Sequence, residues 1–319
     1  MQNVKTDNSS SFTLAIKLRD YMMLVKFSLS FMVVFSAVIS YLLAPEIIGY
    51  NAKMILLLFT GGFLVTASAN AINQVVEKDT DALMKRTAKR PLASGRMSVT
   101  EGWSFAVISG ALGVFILWYF FNGLAAGLAV FSLFLYAFIY TPLKKVNSIS
   151  VLVGAVPGAL PCLIGWAAGN DSLSAGGWAL FAIQFFWQFP HFWAIAWIAH
   201  KDYSGAGFKM LPSVEGPTKY SAIQSIIYSL LLIPVGVLPY VFEMSGLVSF
   251  LIVFIANLLM VWQCIRLYRE MELKAARRVM FSSYIYLPVV LLALLANKLP
   301  AGTRIETGGI VQLMNLITG

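Results

Sequence analysis

The 319-residue sequence has little charge: 12% of its residues are Asp, Glu, Lys or Arg, whereas 59% are hydrophobic. A soluble globular domain carries about 25% charged residues, so this composition excludes an ordinary soluble enzyme and predicts a protein embedded in lipid. Cysteine is also scarce, and Cys162 and Cys264 both lie in apolar segments, where a small buried thiol is the usual interpretation. The sequence contains no Walker-type phosphate loop and no C-x-x-C, H-E-x-x-H or G-x-S-x-G motif, so the enzyme classes that depend on them are not indicated.

Apolar segments account for most of the chain, and no soluble domain or long linker separates them. Nine of them approach the ~20 residues that cross a hydrocarbon core of about 30 Å. We therefore predict an all-α polytopic membrane protein, a bundle of nine transmembrane helices forming a single domain over residues 1–319. Residues 1–15 are expected to be disordered and 300–319 to form a short outer tail. The nine segments are 21–44, 53–76, 100–120, 122–140, 148–168, 176–199, 218–241, 244–266 and 278–297.

The distribution of cations predicts the orientation. With the N-terminus in the cytoplasm, all of the 23 Lys and Arg residues except Lys53, Lys298 and Arg304 fall on the cytoplasmic side, as the positive-inside rule requires. The formal charge of +9 then reflects loops facing anionic headgroups and indicates no nucleic-acid partner. Residues 1–20 resemble neither a cleavable signal nor a transit peptide. The expected location is a bacterial inner (plasma) membrane, with the N-terminus cytoplasmic and the C-terminus outside.

The most informative motif runs from Asn73 to Leu92, directly after an apolar segment. Asn73, Glu77 and Asp81 are spaced four residues apart, which places them on one face of a helix. Carboxylate and amide oxygens suit Mg²⁺, which usually shares its coordination with substrate phosphates. The cations Arg86, Lys89 and Arg90 follow and suit a phosphate-rich anion. At a membrane surface, this combination indicates a lipid diphosphate as the substrate.

The alternative interpretation is a solvated helix end with ordinary pairs between acids and bases. Against it, Asn73 lies a full turn deeper than Glu77, and Asn70 lies deeper still. Polar and ionisable groups at membrane depth are costly and tend to line a functional cavity. Asp79 lies off the face of the other acids and is the weakest candidate among them.

Two further motifs carry polar residues near the predicted cytoplasmic side. Trp187 to Trp193 contains Gln188, Pro190 and His191, and it is followed by Asp202 and Tyr203 in the loop 200–217. A single intramembrane histidine can equally be a hydrogen-bonded packing residue. The third motif contains Tyr140 and Lys144 at the end of the fourth segment, where lysines can be simple topology signals.

The motifs together resemble the UbiA-type intramembrane prenyltransferases, and within that family the branch that farnesylates haem. The resemblance is carried by N-x-x-x-E-x-x-x-D-x-x-M-x-R-T-x-x-R-P-L at 73–92, W-Q-x-P-H-F at 187–192 and M-L-P at 210–212. Quinone-forming relatives usually carry Asp at the position of Glu77 and lack W-Q-x-P-H-F, so the resemblance favours haem as acceptor. Two departures are Lys201, where the family often has an acid, and Val25-Lys26-Phe27-Ser28 in place of T-K-P-R.

The resemblance implies a helical bundle around a central cavity open to the cytoplasmic side. It also implies transfer of a farnesyl group from farnesyl diphosphate to a vinyl group of haem b, giving haem O for cytochrome oxidase. Mg²⁺ would be the cofactor, held by Asn73, Glu77, Asp81 and Asp202. Arg86 and Arg90 complete the implied catalytic set, and the implied substrate contacts are Asn70, Lys89, Tyr140, Lys144, Gln188, His191 and Tyr203.

The implied partners are the lipid bilayer, haem b and farnesyl diphosphate, together with a downstream haem A synthase or oxidase assembly proteins. No nucleic acid is expected among them. Two other functions stay open at this point. One is an aromatic prenyltransferase of a quinone or chlorophyll pathway, with the same chemistry and another acceptor. The other is a membrane transporter, which the clustering of polar residues on one side and the lack of a clear inverted repeat disfavour.

Overall fold

The computed structural model describes residues 8–213, 215–300 and 302, and within them the regular structure is helical apart from one isolated bridge between Ser245 and Lys298. The predicted all-α class is therefore confirmed. A π-helical turn, Leu135–Tyr140, joins the sixth and seventh helices. The helices are α1 (Asn8–Leu24), α2 (Phe27–Leu43), α3 (Ala52–Val76), α4 (Lys78–Leu83), α5 (Val99–Phe120), α6 (Gly123–Phe134), α7 (Thr141–Leu143), α8 (Ser150–Asn170), α9 (Ala175–Ile198), α10 (His200–Gly205), α11 (Lys219–Val241), α12 (Leu247–Glu270) and α13 (Leu273–Ala296).

Seven helical segments in the described part of the chain are individually long and apolar enough to cross a membrane, and the pair α1 and α2 raises the number to eight if it counts as one bent span. The protein is thus a multi-pass membrane protein. The helix α9 has 24 residues, which is enough to cross a hydrocarbon core, but it is not one of these seven segments; it carries Gln184, Gln188 and His191. The count of nine spans stays a prediction.

The first predicted segment, 21–44, is wrong as a continuous span. The chain breaks at Val25-Lys26, and the helices on either side are bent by 49°. A hydropathy window cannot detect this break, because Lys26 is the only charged residue of the segment 21–44 and the bend depends on its left-handed backbone, with φ of 48°. By contrast, the predicted break at Phe121-Asn122-Gly123 is confirmed: Asn122 caps α6 by accepting from the amide of Ala125 at 2.8 Å.

The beginning of the chain also differs from the prediction. Residues 8–15 belong to α1, although the sequence predicts disorder there, while residues 1–7 lie outside the described residues. Lys17 and Asp20 fix the helix farther along by pairing with Glu101 and Arg96. Once a helix is fixed, adding residues at its end costs little, which accounts for its extension towards Asn8. The predicted tail 300–319 lies outside the described residues except for 300 and 302.

The most buried span is α8, because 72% of its most apolar window is inside the protein. Small residues let its neighbours approach. A side chain at Gly165 would overlap the backbone of Ala37 in α2, and one at Gly158 would overlap the amide of Gln188 in α9. Such close approach through small residues is typical of packing between membrane helices. The helices α2, α6 and α9 therefore surround α8.

Candidate active site

The three spaced residues at the end of α3 form one buried face. The helix α3 ends at Val76 and α4 begins at Lys78, yet the hydrogen-bond ladder continues: the amide of Glu77 donates to the carbonyl of Asn73 at 2.9 Å, and that of Asp81 to the carbonyl of Glu77 at 2.7 Å. Because the i to i−4 pattern survives the break, Asn73, Glu77 and Asp81 stay aligned and are all buried, as their spacing predicts. Asp79 is exposed.

Each of these three residues accepts a hydrogen bond from a different cation. Lys26 donates to Asn73 Oδ1 at 3.1 Å, Lys144 to Glu77 Oε1 at 2.9 Å, and Arg90 to Asp81 Oδ2 at 2.7 Å. The carboxylates of Glu77 and Asp81 are 7% and 1% exposed, so both ion pairs are shielded from bulk water. We call the six side chains the polar nest: Asn73, Glu77, Asp81, Lys26, Arg90 and Lys144.

The cations reach the nest from three separate parts of the chain. Arg90 follows α4, Lys26 lies at the break between α1 and α2, and Lys144 follows α7, which continues from the π-helical turn. The ammonium of Lys144 lies over the rings of Tyr140, at 4.6 Å, and Phe208, at 5.7 Å, an arrangement that stabilises a cation. π-helical turns are frequent at functional sites. Sequence analysis did not identify Lys26 as a site residue, and its only signal was its position in the T-K-P-R region.

The nest fits a hard divalent cation. Asp81 Oδ1 is buried and has no hydrogen-bond partner within the described residues, and burying an unpaired carboxylate oxygen is costly unless a ligand compensates for it. Asn73 and Glu77 add amide and carboxylate oxygens, the donors that Mg²⁺ prefers. No three His, Cys, Asp or Glu side chains converge as a metal cluster in the part of the chain described here. The donor set is therefore two carboxylates and one amide, and Asp202, in α10, stays a predicted ligand.

The second loop, between α9 and α11, packs against the first loop, between α3 and α5, at the same end of the bundle. The hydroxyl of Tyr203 accepts a hydrogen bond from Arg86 at 3.3 Å, and the amide of Lys209 donates to the carbonyl of Lys144 at 2.8 Å. Met84 and Phe208 are buried in a small apolar cluster between the loops. The structure thus brings Arg86, Tyr203 and Lys144 together beside the nest.

A further set of contacts fixes the first loop to α1. Arg96 pairs with Asp20 at 2.9 Å and donates to the carbonyl of Lys89, also at 2.9 Å. In α3, the amide of Gln74 donates to the carbonyls of Met23 and Leu24 at the end of α1. Lys89 itself is exposed, so its backbone takes part in these contacts while its side chain points outward. Sequence analysis missed the contacts with α1 because they join residues at least 50 positions apart.

An apolar cavity lies next to the nest. Asn70 and Tyr136 line it, and each is connected to the nest. The carbonyl of Tyr136 accepts from the hydroxyl of Thr141 at 2.8 Å, and that hydroxyl accepts from the amide of Asn73 at 3.4 Å. Asn70 lies one turn of α3 before Asn73. The remaining lining residues are mostly aliphatic and come from α2, α3, α6 and α8, with Leu117 from α5.

The chain matches one protein family over most of its length. A model of the UbiA prenyltransferase family matches residues 33–286. The chain belongs to the UbiA prenyltransferase family. The match extends from α2 into α13. It includes every residue of the polar nest except Lys26.

Curated relatives in the family extend over nearly the whole chain. The protoheme IX farnesyltransferase of Cytophaga hutchinsonii is 44% identical over 291 residues, which cover 90% of this chain and 100% of the relative. That of Christiangramia forsetii is 40% identical and covers 93% of this chain and 98% of the relative. The mitochondrial protoheme IX farnesyltransferase of Arabidopsis thaliana is 35% identical and covers 94% of this chain and 70% of the relative.

Solved UbiA structures share the fold. A structure described for digeranylgeranylglyceryl phosphate synthase superposes with a TM-score of 0.73 at 22% identity, covering 88% of this chain and 98% of that chain. A UbiA homolog from Archaeoglobus fulgidus bound to GPP and Mg²⁺ superposes with a TM-score of 0.63 at 17% identity. The superposition covers 86% of this chain and 99% of that chain. The all-helical UbiA fold of this chain is therefore established.

Gln188 and His191 lie in a different part of this UbiA fold. The amide of Gln188 donates to the carbonyls of Ala155 and Gln184 at 3.0 and 3.1 Å, so it joins α9 to α8. The ring of His191 stacks on Trp187, with centroids 4.7 Å apart, and its Nδ1 lies 2.8 Å from the hydroxyl of Ser283 in α13. The predicted site residues thus form two groups, one around the nest and one on α9, where Gln188 faces α8 and His191 faces α13.

Proposed function

We propose that this UbiA protein transfers the farnesyl group of farnesyl diphosphate to a vinyl group of haem b, making haem O for cytochrome oxidase. The observation that carries the proposal is the buried polar nest next to an apolar cavity. The nest suits a diphosphate and its metal, and the cavity suits the attached hydrocarbon chain. The relatives' name, protoheme IX farnesyltransferase, supports haem as the acceptor.

The residues of the nest would hold Mg²⁺ and the diphosphate. Asn73, Glu77 and Asp81 supply oxygen ligands, and Asp202 in the second loop is proposed as an additional acidic anchor. Mg²⁺, when bound, neutralises negative charge on the departing diphosphate. Arg90 and Lys144 lie on the same side as the acids and stabilise that charge by donating hydrogen bonds. A fold neighbour that binds GPP and Mg²⁺ supports this use of the UbiA site.

The remaining cations and tyrosines would complete the substrate contacts. Arg86 and Lys89 are exposed in the first loop and attract the anion from water. Tyr203 orients Arg86 through its hydroxyl, and the ring of Tyr140 supports the ammonium of Lys144. Asn70 holds the break before α2 by donating to Val25 and Ser30, which shapes the mouth of the cavity.

The reaction that follows is an electrophilic transfer. The bond between the allylic carbon and the diphosphate oxygen breaks, and both electrons leave with the diphosphate. The resulting allylic cation is attacked by the vinyl carbon of haem. A water molecule then adds to the haem side and loses a proton, which gives the hydroxyethylfarnesyl group. An apolar cavity keeps water from the cation until the carbon–carbon bond has formed.

The tautomer of His191 favours contact with the haem iron. The hydroxyl of Ser283 lies 2.6 Å from the carbonyl of Met280 and 2.8 Å from Nδ1 of His191. A hydroxyl has one proton, so when Ser283 donates it to that carbonyl it accepts from Nδ1–H of His191. The Nε2 atom then carries a lone pair, and a ligating histidine typically holds its other nitrogen in this way. A haem propionate would require a donor at that atom. Gln188, one turn earlier in α9, is a proposed neighbour of the same acceptor.

The location and partners follow from the same proposal. We place the chain in a bacterial inner membrane with the N-terminus and the nest towards the cytoplasm, because the first and second loops carry an excess of cations. Haem b and farnesyl diphosphate are the substrates. A haem A synthase or an oxidase assembly protein would receive the product.

The test uses purified protein in detergent with haem b, farnesyl diphosphate and Mg²⁺, with and without EDTA. We expect a mass corresponding to hydroxyethylfarnesyl haem that disappears with EDTA. No haem product, together with prenylation of a phenolic acid by the same preparation, would move the acceptor to the quinone branch. Product that persists in EDTA would overturn the role of the metal.

A further inference from the structure

We infer that Lys26 is a third substrate-facing cation, and that Lys26, Lys144 and Arg90 exchange partners during binding. In the structure each donates to an oxygen of the acidic motif. When metal and diphosphate bind, the cations pass from those oxygens to the diphosphate. Neither the metal nor the diphosphate then binds tightly without the other. The inference rests on the proposed function, since it requires that the nest receive a diphosphate with a divalent cation.

The hydrogen bonds show why the two ligands are coupled. Asn73 Oδ1, Glu77 Oε1 and Asp81 Oδ2 accept from Lys26, Lys144 and Arg90 at 3.1, 2.9 and 2.7 Å. Magnesium binds oxygen at about 2.0–2.1 Å, and a cation held on the same oxygen repels it strongly in a poorly hydrated site. The metal can therefore use these oxygens only if the cations find other acceptors. Diphosphate oxygens are strong acceptors for Lys and Arg.

The charges of the nest also predict that the metal and the diphosphate bind together. Lys144 and Arg90 each face a carboxylate, whereas Lys26 faces the neutral amide of Asn73, so the charge of Lys26, when it is protonated, is in excess. A divalent cation alone would increase that excess, whereas a diphosphate alone would lack a counter-charge at its metal-facing oxygens. Together they bring charges of opposite sign into the same site. Without the charge of Lys26, the charges of the two other cations would equal those of the two carboxylates.

The backbone of Lys26 is a second, independent observation. Its φ of 48° and ψ of 58° are left-handed, a conformation that glycine and asparagine adopt far more readily than lysine. Strained backbone of this kind tends to occur at functional sites. The neighbouring carbonyl of Val25 accepts from Asn70 and Ser30, so the turn is held in place. The turn places Lys26 on Asn73, 47 positions away.

The experiment measures binding, not turnover, in the full-length protein. Binding of Mn²⁺ alone is followed by electron paramagnetic resonance, and binding of radiolabelled farnesyl diphosphate is followed with Mg²⁺ present. For Lys26→Met we expect Mn²⁺ to bind about tenfold more tightly and farnesyl diphosphate about tenfold more weakly than in the wild type, since allosteric and coupled sites typically interact by 5- to 150-fold. Lys26→Arg should restore both values towards wild type.

The affinities of Lys26→Met for Mn²⁺ and for farnesyl diphosphate are expected to change in opposite directions, which distinguishes the inference from a purely structural role of Lys26. A variant that merely loosens the site would bind both Mn²⁺ and farnesyl diphosphate more weakly. That result, or an unchanged affinity for Mn²⁺, would overturn the proposed exchange of partners. Lys17→Met is the matched control, because Lys17 is a half-exposed lysine of α1 that pairs with Glu101, and it should change neither value. Haem is absent from both measurements, so a different acceptor would not affect them. If the wild type bound no farnesyl diphosphate with Mg²⁺, the proposed function itself would fail.

Discussion

The ammonium group of Lys298 lies 2.7 Å from the carbonyl oxygen of Ala44, so a residue after the last helix caps the end of α2. The same ammonium donates to the carbonyls of Leu42 and Ile47 at 2.8 and 2.7 Å. A cation at a helix C-terminus also interacts favourably with the helix dipole. These contacts close the bundle at the end opposite the polar nest.

Replacing Lys298 by Met should destabilise the protein without changing the nest. Three carbonyls would lose their donor, and an unsatisfied buried group costs about 1–3 kcal/mol. We expect a lower unfolding temperature in detergent and normal turnover at low temperature. Lys53→Met is the control, because Lys53 is also on the predicted outer side but is exposed. Equal unfolding temperatures for the two variants would show that the contacts of Lys298 do not stabilise the fold.

Features that depend on residues close in sequence could be predicted, whereas contacts between residues far apart in sequence were missed. The face formed by Asn73, Glu77 and Asp81 follows from a four-residue period, and the structure keeps it despite the break at Glu77. Lys26 could not be assigned in this way, because its acceptor Asn73 is 47 positions away and the turn that presents it is left-handed. The partner of His191 is 92 positions away in α13.

The predicted spans illustrate the same limit. Most helix ends lie within a few residues of the predicted ones, because hydropathy reports burial in lipid. Hydropathy does not report bends, so the 49° angle before α2 was missed. It also does not report π-helical turns, and Leu135–Tyr140 appears in sequence only as part of an ordinary apolar segment.

Filling the apolar cavity should alter the preference for prenyl chain length. Ala69 lines the cavity one residue before Asn70, and Ala69→Phe would occupy space that the far end of a farnesyl chain requires. We expect KM for farnesyl diphosphate to rise by about tenfold, with a smaller change for geranyl diphosphate. Val107→Phe, on an exposed position of α5, serves as control. An equal rise in KM for both substrates would indicate that the chain does not occupy this cavity.

Removing the imidazole of His191 should weaken haem binding. His191→Ala deletes the proposed iron ligand, so the shift of the haem absorption band on binding should disappear. Ser283→Ala removes only the acceptor that fixes the tautomer, and we expect a loss of affinity of about tenfold, as for other groups that orient a ligating histidine. His200→Ala is the matched control, since His200 is the other histidine of the chain and lies in the second loop. An unchanged haem spectrum in His191→Ala would exclude the iron contact.

Replacing Asp81 by Asn tests the polar nest most directly. The substitution keeps the shape of the side chain and the acceptor for Arg90, which bonds Oδ2 at 2.7 Å, but it removes the charge from the oxygen that has no hydrogen-bond partner in the described residues. Removing one group that stabilises developing charge costs about 10²–10³ in turnover, and we expect at least that loss with little change in detergent-solubilised yield. Asp79→Asn is the matched control, because Asp79 is two residues away in the same helix and exposed. It should retain wild-type turnover at every Mg²⁺ concentration. If Asp81→Asn turned over normally at limiting Mg²⁺, the metal would have to be held by other residues, and the acidic face of α3 and α4 would have a structural role only.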